Sequence, residues 1–182
     1  DHIGEGAYAE TEKVIQELLS ERAAHIGANK TFDQSVSKPE NAQSVNFGQI
    51  NTPELYFGYE FARAKLGNAE GYQPGKVIAY TIPDGTTITP NRIYLQGEWK
   101  NNADNMELQS GTGRIVLSYT AKSVNIVAGG SGKLYISEDG LNLTASSRGS
   151  DISDKGEVLI DGQKLYNIAM HDGYGNHQIV ID

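Results

Sequence analysis

The chain has 182 residues, enough for one sizeable domain with a small appendage. Its formal charge of −8 argues against nucleic acid or an anionic membrane surface as partner, and the absence of cysteine removes disulfides, thiolate chemistry and Cys-based zinc sites from this stretch. An apolar share of 38% is low for a packed globule, whereas 21 Gly and 10 Tyr suit a β-structure with many turns. No apolar run approaches the ~20 residues of a membrane span, and no signal peptide opens the chain, so Asp1 reads as the edge of an excised piece.

Residues 1–25 differ from everything after them. Tyr8, Thr11, Val14, Ile15, Leu18 and Leu19 recur at steps of three and four, with Glu10, Glu12, Lys13, Glu17 and Glu21 between them. The spacing predicts an amphipathic helix of about four turns, which either covers the β-domain or closes a neighbouring domain. Residues 26–51 are rich in Asn and Ser, with few apolar residues, and read as a linker laid over a surface, with Val45 and Phe47 as anchor points.

Residues 52–182 read as a chain of strands. Phe57, Tyr59 and Phe61 alternate with Gly58, Glu60 and Ala62, which predicts a strand whose aromatic side chains serve as core or as a ligand platform. A second strand covers 77–82 and stops at Pro83-Asp84-Gly85. Over 92–99, Ile93, Leu95, Gly97 and Trp99 share one face. That makes the single Trp a buried anchor, with sugar stacking as the alternative, and puts Tyr94 outside the core.

The most regular stretch is 113–130. Ile115, Leu117 and Tyr119 alternate in one phase, Val124, Ile126 and Ala128 in the other. The change of phase across Ala121-Lys122-Ser123 demands a turn or a bulge, and the stretch reads as a core hairpin. Residues 133–137 form another strand, ended by Glu138-Asp139-Gly140. Asp161-Gly162 joins two strands as a hairpin turn, and 171–176 is a turn before a last strand. Eight or nine short strands without helices between them predict an all-β domain, a jelly-roll β-sandwich with one N-terminal α-helix.

Catalytic chemistry is missing from the pattern. No Gly-x-Ser-x-Gly elbow occurs, and no glycine-rich loop leads into a helix to cradle phosphate. His2, His25, His171 and His177 fall at ends or in turns and read as solvated. His171 and His177 flank one turn, but two histidines without a third placed ligand do not define a metal site. Asp151, Asp154 and Glu157 lack the spacing of a known calcium loop. No catalytic residue, metal or cofactor is assigned.

Several stretches together resemble a family. Gly4-Glu5-Gly6-x-Tyr8 with Glu12, Ile15 and Leu18-Leu19 resembles the closing helix of the thioredoxin-like domain in DipZ-type proteins of bacterial cytochrome c biogenesis and thiol–disulfide exchange. Thr52-Pro53-Glu54-x-Tyr56-x-Gly58-Tyr59 resembles the segment that follows that domain. Leu95-x-Gly97-x-Trp99, Gly113-Arg114-Ile115, residues 121–127, Gly149-x-Asp151 and Leu165-Tyr166 resemble the core of the C-terminal domain. The resemblance implies that 1–25 is the last helix of a preceding thioredoxin-like domain and 26–51 a linker. Residues 52–182 would then be a jelly-roll domain similar to carbohydrate-binding modules, outside the cytoplasm in the cell envelope or periplasm. The family's redox cysteine pair would lie upstream of Asp1.

The implied function is a non-catalytic binding module, for an envelope glycan, appended to a thioredoxin-like thiol–disulfide oxidoreductase. The alternative is a structural or protein-docking domain that positions the redox domain. Its partners would be the upstream thioredoxin-like domain and an envelope glycan or protein, with no nucleic acid and no membrane insertion by this segment. Tyr56, Tyr59 and Tyr94 are the candidate ligand-binding residues, because aromatic faces pack on the apolar faces of sugar rings.

Overall fold

The computed structural model describes residues 8–28, 30–37, 46–109 and 111–182. His2, Gly4 to Gly6, Val45 and the side chain of Phe47 lie outside the described part. The chain falls into two units, residues 1–45 and 46–182.

The first unit is built on α1 (Tyr8–His25). Its end is fixed by backbone bonds from Gly27 N to the Ala24 carbonyl and from Ala28 N to the Ala23 carbonyl, the Schellman pattern that satisfies the last carbonyls of a helix. The chain then runs back along the helix. Gln16 Nε2 donates to the Ser35 carbonyl at 2.8 Å, and Ser37 gives both its amide and its hydroxyl to one oxygen of Glu12. The residues this covers are Gln16 and Ala23, whereas the predicted apolar stripe of Val14, Ile15, Leu18 and Leu19 stays exposed.

The second unit is all-β and antiparallel, which bears out the expected class with its one N-terminal helix. Its strands are β1 (Val77–Tyr80), β2 (Ile93–Asn101), β3 (Met106–Leu108), β4 (Arg114–Ala128), β5 (Gly132–Glu138), β6 (Leu141–Asn142), β7 (Glu157–Ile160) and β8 (Lys164–Ile181). The hydrogen-bonded order is β1-β2-β4-β8-β5-β6, with β3 on β2 and β7 on β5. Residues 46–51, read as linker, belong to this unit: the amides of Asn51 and Thr52 both donate to the Thr120 carbonyl.

Two long strands replace the predicted hairpin and turn. β4 runs unbroken for 15 residues, and the phase change is a register shift between Ala121 and Ser123 rather than a corner. Its partner throughout is the 18-residue β8. Ala121 faces Gly175 and Ser123 faces Met170, so residues 171–174 of β8 bulge out opposite the single residue Lys122. The predicted turn at 171–176 is this excursion within a strand. Nor does Asp161-Gly162 join paired strands: β7 pairs with β5, and β8 with β4 and β5.

Two cores result. Leu66, Tyr80, Ile93, Leu95 and Trp99 form one, and Tyr119, Ile136, Val158, Ile160, Tyr166, Ile168 and Ile179 form the centre of the other, with Ile115 packed against both. Trp99 is the buried anchor its parity predicts, its Nε1 donating to the Gln96 carbonyl at 3.0 Å. β2 changes partner along its length, from β4 at Ile93–Gln96 to β3 at Trp99–Asn101. Between the two lies Gly97, whose φ of 107° no L-residue adopts without strain.

The predicted strand around Phe57–Phe61 does not form. The Tyr59 and Glu60 amides donate instead to the Asn102 and Ala103 carbonyls in the β2–β3 turn, and a Cβ at Gly58 would overlap the Ala103–Asp104 backbone.

Candidate functional site

The three sequence-predicted ligand residues do not share one surface. Tyr94 is 5% exposed. Its parity does turn it away from Leu95, but that face of β2 is covered: a Cβ at Gly67 would overlap the Tyr94 ring, Gly67 N bonds the Ile93 carbonyl, and the Tyr94 hydroxyl accepts from Thr89 N at 3.1 Å. Its cross-strand partner Val116 is buried with it. Tyr94 is therefore core, because a second layer of loop covers what alternation alone marks as outside.

Tyr56 and Tyr59 are partly exposed on the loop docked over the β2–β3 turn. The Tyr56 hydroxyl donates to Glu54 Oε2 at 2.6 Å, which raises its pKa. The Arg63 guanidinium lies 5.1 Å from the Tyr56 ring centre, and Phe61, 56% exposed, sits 6.5 Å from it on a tilt. Aromatic faces, a carboxylate and a guanidinium thus stand together, the mixture that binds a ring apolar on its faces and hydroxylated at its edges. The sequence offers Phe61 as core or ligand platform on a strand, but nothing in it singles out Arg63.

A second cluster lies where β5 ends against the β8 excursion. Asp139 and Gly140 both have positive φ, 53° and 76°, and join Glu138 to Leu141 as a two-residue hairpin turn of the type whose twist matches the strands. That turn presents two consecutive carboxylates to β8. Glu138, 7% exposed, accepts the Tyr119 hydroxyl on Oε1 at 2.5 Å, while its Oε2 stands 3.0 Å from His171 Nε2 and 4.0 Å from His177 Nδ1. Asp139 Oδ2 is 2.8 Å from the same Nδ1, and its Oδ1 accepts the Gln178 amide at 2.8 Å. The two imidazoles stack 4.2 Å apart and within 2° of parallel.

Burial raises the Asp139 pKa, but hydrogen bonds from His177 and the Gln178 backbone and the charge of both imidazoles outweigh it, and the net shift is downward. Burial first, and then donation to Glu138, push the Tyr119 phenol far up, so it stays a donor. Of the histidines read as solvated, His171 and His177 are strand residues with side chains only 15% and 22% exposed. The cue lay in no short motif: Glu138 is 33 residues from His171, and only β5–β8 pairing brings them together.

The acids considered for calcium are each held by protein donors. Asp151 accepts the Asn167 amide, Asp154 pairs with Arg148 at 2.7 Å, and Glu157 lies 3.5 Å from Lys133. Two of them, Asp151 and Glu157, line an open cleft of about 340 Å³ with Lys133, Ser150 and Leu159. Among the described residues, no helix is long and apolar enough to cross a membrane.

Comparison with known proteins agrees with the resemblance carried by the motifs. Over 142 residues, 78% of its length, the chain is 29% identical to Protein DipZ of Mycobacterium bovis and equally to Protein DipZ of Mycobacterium tuberculosis. It spans about a fifth (19%) of the length of these curated relatives. The model of the thioredoxin like C-terminal domain matches residues 52–182, from the docked loop to the end of β8, and the chain belongs to that family.

Proposed function

We propose that the β-domain is a non-catalytic binding module, appended to a thioredoxin-like thiol–disulfide oxidoreductase that works outside the cytoplasm, and that it holds an envelope glycan on the Tyr56 loop. Membership of the C-terminal domain family and the match to Protein DipZ support the appended role. The observation that carries the ligand class is the exposed Phe61 ring beside Tyr56, flanked by Arg63 and Glu54. Arg63 occupies one face of Tyr56, so Phe61 offers the open face for a sugar ring, and Glu54 and Arg63 supply an acceptor and donors for its hydroxyls. Tyr59 extends the platform, whereas buried Tyr94 only supports the strand beneath it.

A screen of envelope oligosaccharides followed by calorimetric titration tests this. Binding should weaken at least tenfold in Phe61→Ala and Tyr56→Ala with little change in melting temperature. A silent screen, or binding that both variants retain, removes the glycan reading.

The protein-docking reading draws on a different place. Val127 and Leu165 are cross-strand partners at the far end of β4 and β8, 71% and 59% exposed. Exposed apolar neighbours of this kind suit a protein partner. Replacing both with Glu in the full-length protein should then slow turnover of protein disulfides but not of a small dithiol.

A further inference from the structure

We propose that Glu138, His171 and His177 form a binding site for one first-row divalent cation such as Zn²⁺, with Asp139 placed to join as a fourth ligand. The three residues each offer one ligand atom, and the three atoms lie within 4.8 Å of one another. Nitrogens and oxygens about 2.0–2.2 Å from a tetrahedral zinc stand roughly 3.3–3.5 Å apart. The separations here, 3.0 Å from Glu138 Oε2 to His171 Nε2 and 4.0 Å to His177 Nδ1, bracket that spacing.

Charge points the same way. Glu138 is a buried carboxylate, and the groups that face it from the packed elements are the Tyr119 hydroxyl, His171, His177 and a second carboxylate, Asp139; among the described residues no Lys or Arg pairs with it. Buried charge is tolerated when it is paired or when it ligates a metal. A doubly positive ion among two carboxylates and two uncharged imidazoles leaves the site neutral.

The surroundings are those of an oriented ligand set. Metal sites hold their ligands with an outer ring of hydrogen bonds that fixes which atom faces the ion. Tyr119 donates to Oε1 and so leaves Oε2 turned toward the imidazoles. Asp139 is fixed by the Gln178 amide and by the hairpin turn. A nitrogen and oxygen donor set of this kind suits zinc, copper or nickel rather than calcium or magnesium. One movement is required: a ligand nitrogen binds along its ring plane, and stacked parallel rings cannot both point at one ion. Loading turns one imidazole out of the stack. His171 lies on the excursion opposite Lys122, outside the β4–β8 register, whereas His177 is held in register opposite Tyr119.

The test uses the untagged chain, stripped with chelator and titrated with Zn²⁺ alone. Calorimetry should give one site, and the melting temperature should climb with zinc concentration by about several degrees once the ion is in large excess over its dissociation constant. Imidazole nitrogen resonances should shift for two histidines, with His25 on α1 unmoved. Affinity should fall at least tenfold in His171→Ala and in Glu138→Gln, and stay unchanged in His25→Ala. If His171→Ala does not fold, the resonance shifts in the unaltered protein decide. No saturable binding up to about millimolar zinc, shifts in His25 instead, or full affinity in Glu138→Gln together with His171→Ala overturns the proposal.

Discussion

Around Trp99 the buried polar groups are the amides of Asn68 and Asn101 and the Tyr80 phenol; around Tyr119 they are a buried carboxylate and two half-buried imidazoles. In the first region every polar atom has a fixed neutral partner. Asn68 Nδ2 donates to the Thr81 and Leu95 carbonyls, both at 2.8 Å, and its Oδ1 accepts the Leu95 amide at 2.7 Å, so one side chain does for β2 what an edge strand would. Asn101 accepts the Gln73 amide and lies 2.8 Å from the Tyr80 hydroxyl. In the second region the partners can gain or lose protons, or share an ion. A neutral network specifies a structure and stays closed; an ionisable one leaves a place where solution conditions enter the fold.

The largest effect is expected at Trp99. Trp99→Ala should cost about 3–5 kcal/mol, because it empties the centre of the first core. Ile115 packs against both clusters, so the loss should appear as one cooperative urea transition moved to lower denaturant. Two separated transitions, one insensitive to the substitution, would show that the cores are independent and that the comparison is between two folding units.

Next comes Asn68. Asn68→Ala strands the amide and carbonyl of Leu95 and the carbonyl of Thr81, and the cost should be on the order of 2–4 kcal/mol. Asn68→Asp sharpens the contrast by making the neutral network ionisable. A protonated carboxyl keeps one donor, while an ionised one has none and lies against two carbonyls, so its folded pKa is raised above the usual ~3.9. A raised pKa means stability that is present at low pH and lost as pH rises through the folded value. The variant should therefore approach the wild type near pH 3 and fall furthest below it at pH 7, in denaturant titrations at both. A pH-independent deficit would mean the loop, not the donors, is what Asn68 holds.

The same two regions differ in how far their sequences betray them. Trp99 is legible because Ile93 and Leu95 share its parity on a strand that forms. Asn68 is not, since nothing in a polar loop says which amide will reach across to Leu95. β4 is legible as an alternation, but alternation cannot tell a corner from a bulge; what decides is that β8 is long enough to pair on both sides of the register shift. The cluster at Glu138 is illegible for a related reason. Its members come from the end of β5, from the β8 excursion (His171) and from the paired part of β8 opposite Tyr119 (His177), and the excursion is defined only against Lys122 on β4. Tyr94 shows the converse failure, a correct parity given the wrong meaning once Gly67 and Thr89 cover the outer face.

The smallest effect marks the one direction in which the neutral region does titrate. Burial, with the neighbouring Tyr80, pushes the Tyr72 phenol up to about 12, and burial raises Tyr80 as well, against the Asn101 hydrogen bond. An unfolded tyrosine titrates near 10. Between those values the unfolded chain has lost the proton and the folded one has kept it, so the contribution is complete below pH 10 and disappears as pH rises toward 12. Two units correspond to roughly 2.7 kcal/mol, and solvent screening of the partly exposed ring reduces this to on the order of 1 kcal/mol. Tyr72→Phe cannot ionise, and at neutral pH it forgoes the bond to the Tyr56 carbonyl at 3.2 Å, worth about 1 kcal/mol. The wild type should thus be the more stable of the two at pH 8, and the gap should close by pH 11.5. Lysine deprotonation affects both proteins alike and drops out of the difference. A gap that stays constant across this range would show that Tyr72 is solvated in the folded protein, and that the region around Trp99 has no titrating boundary at all.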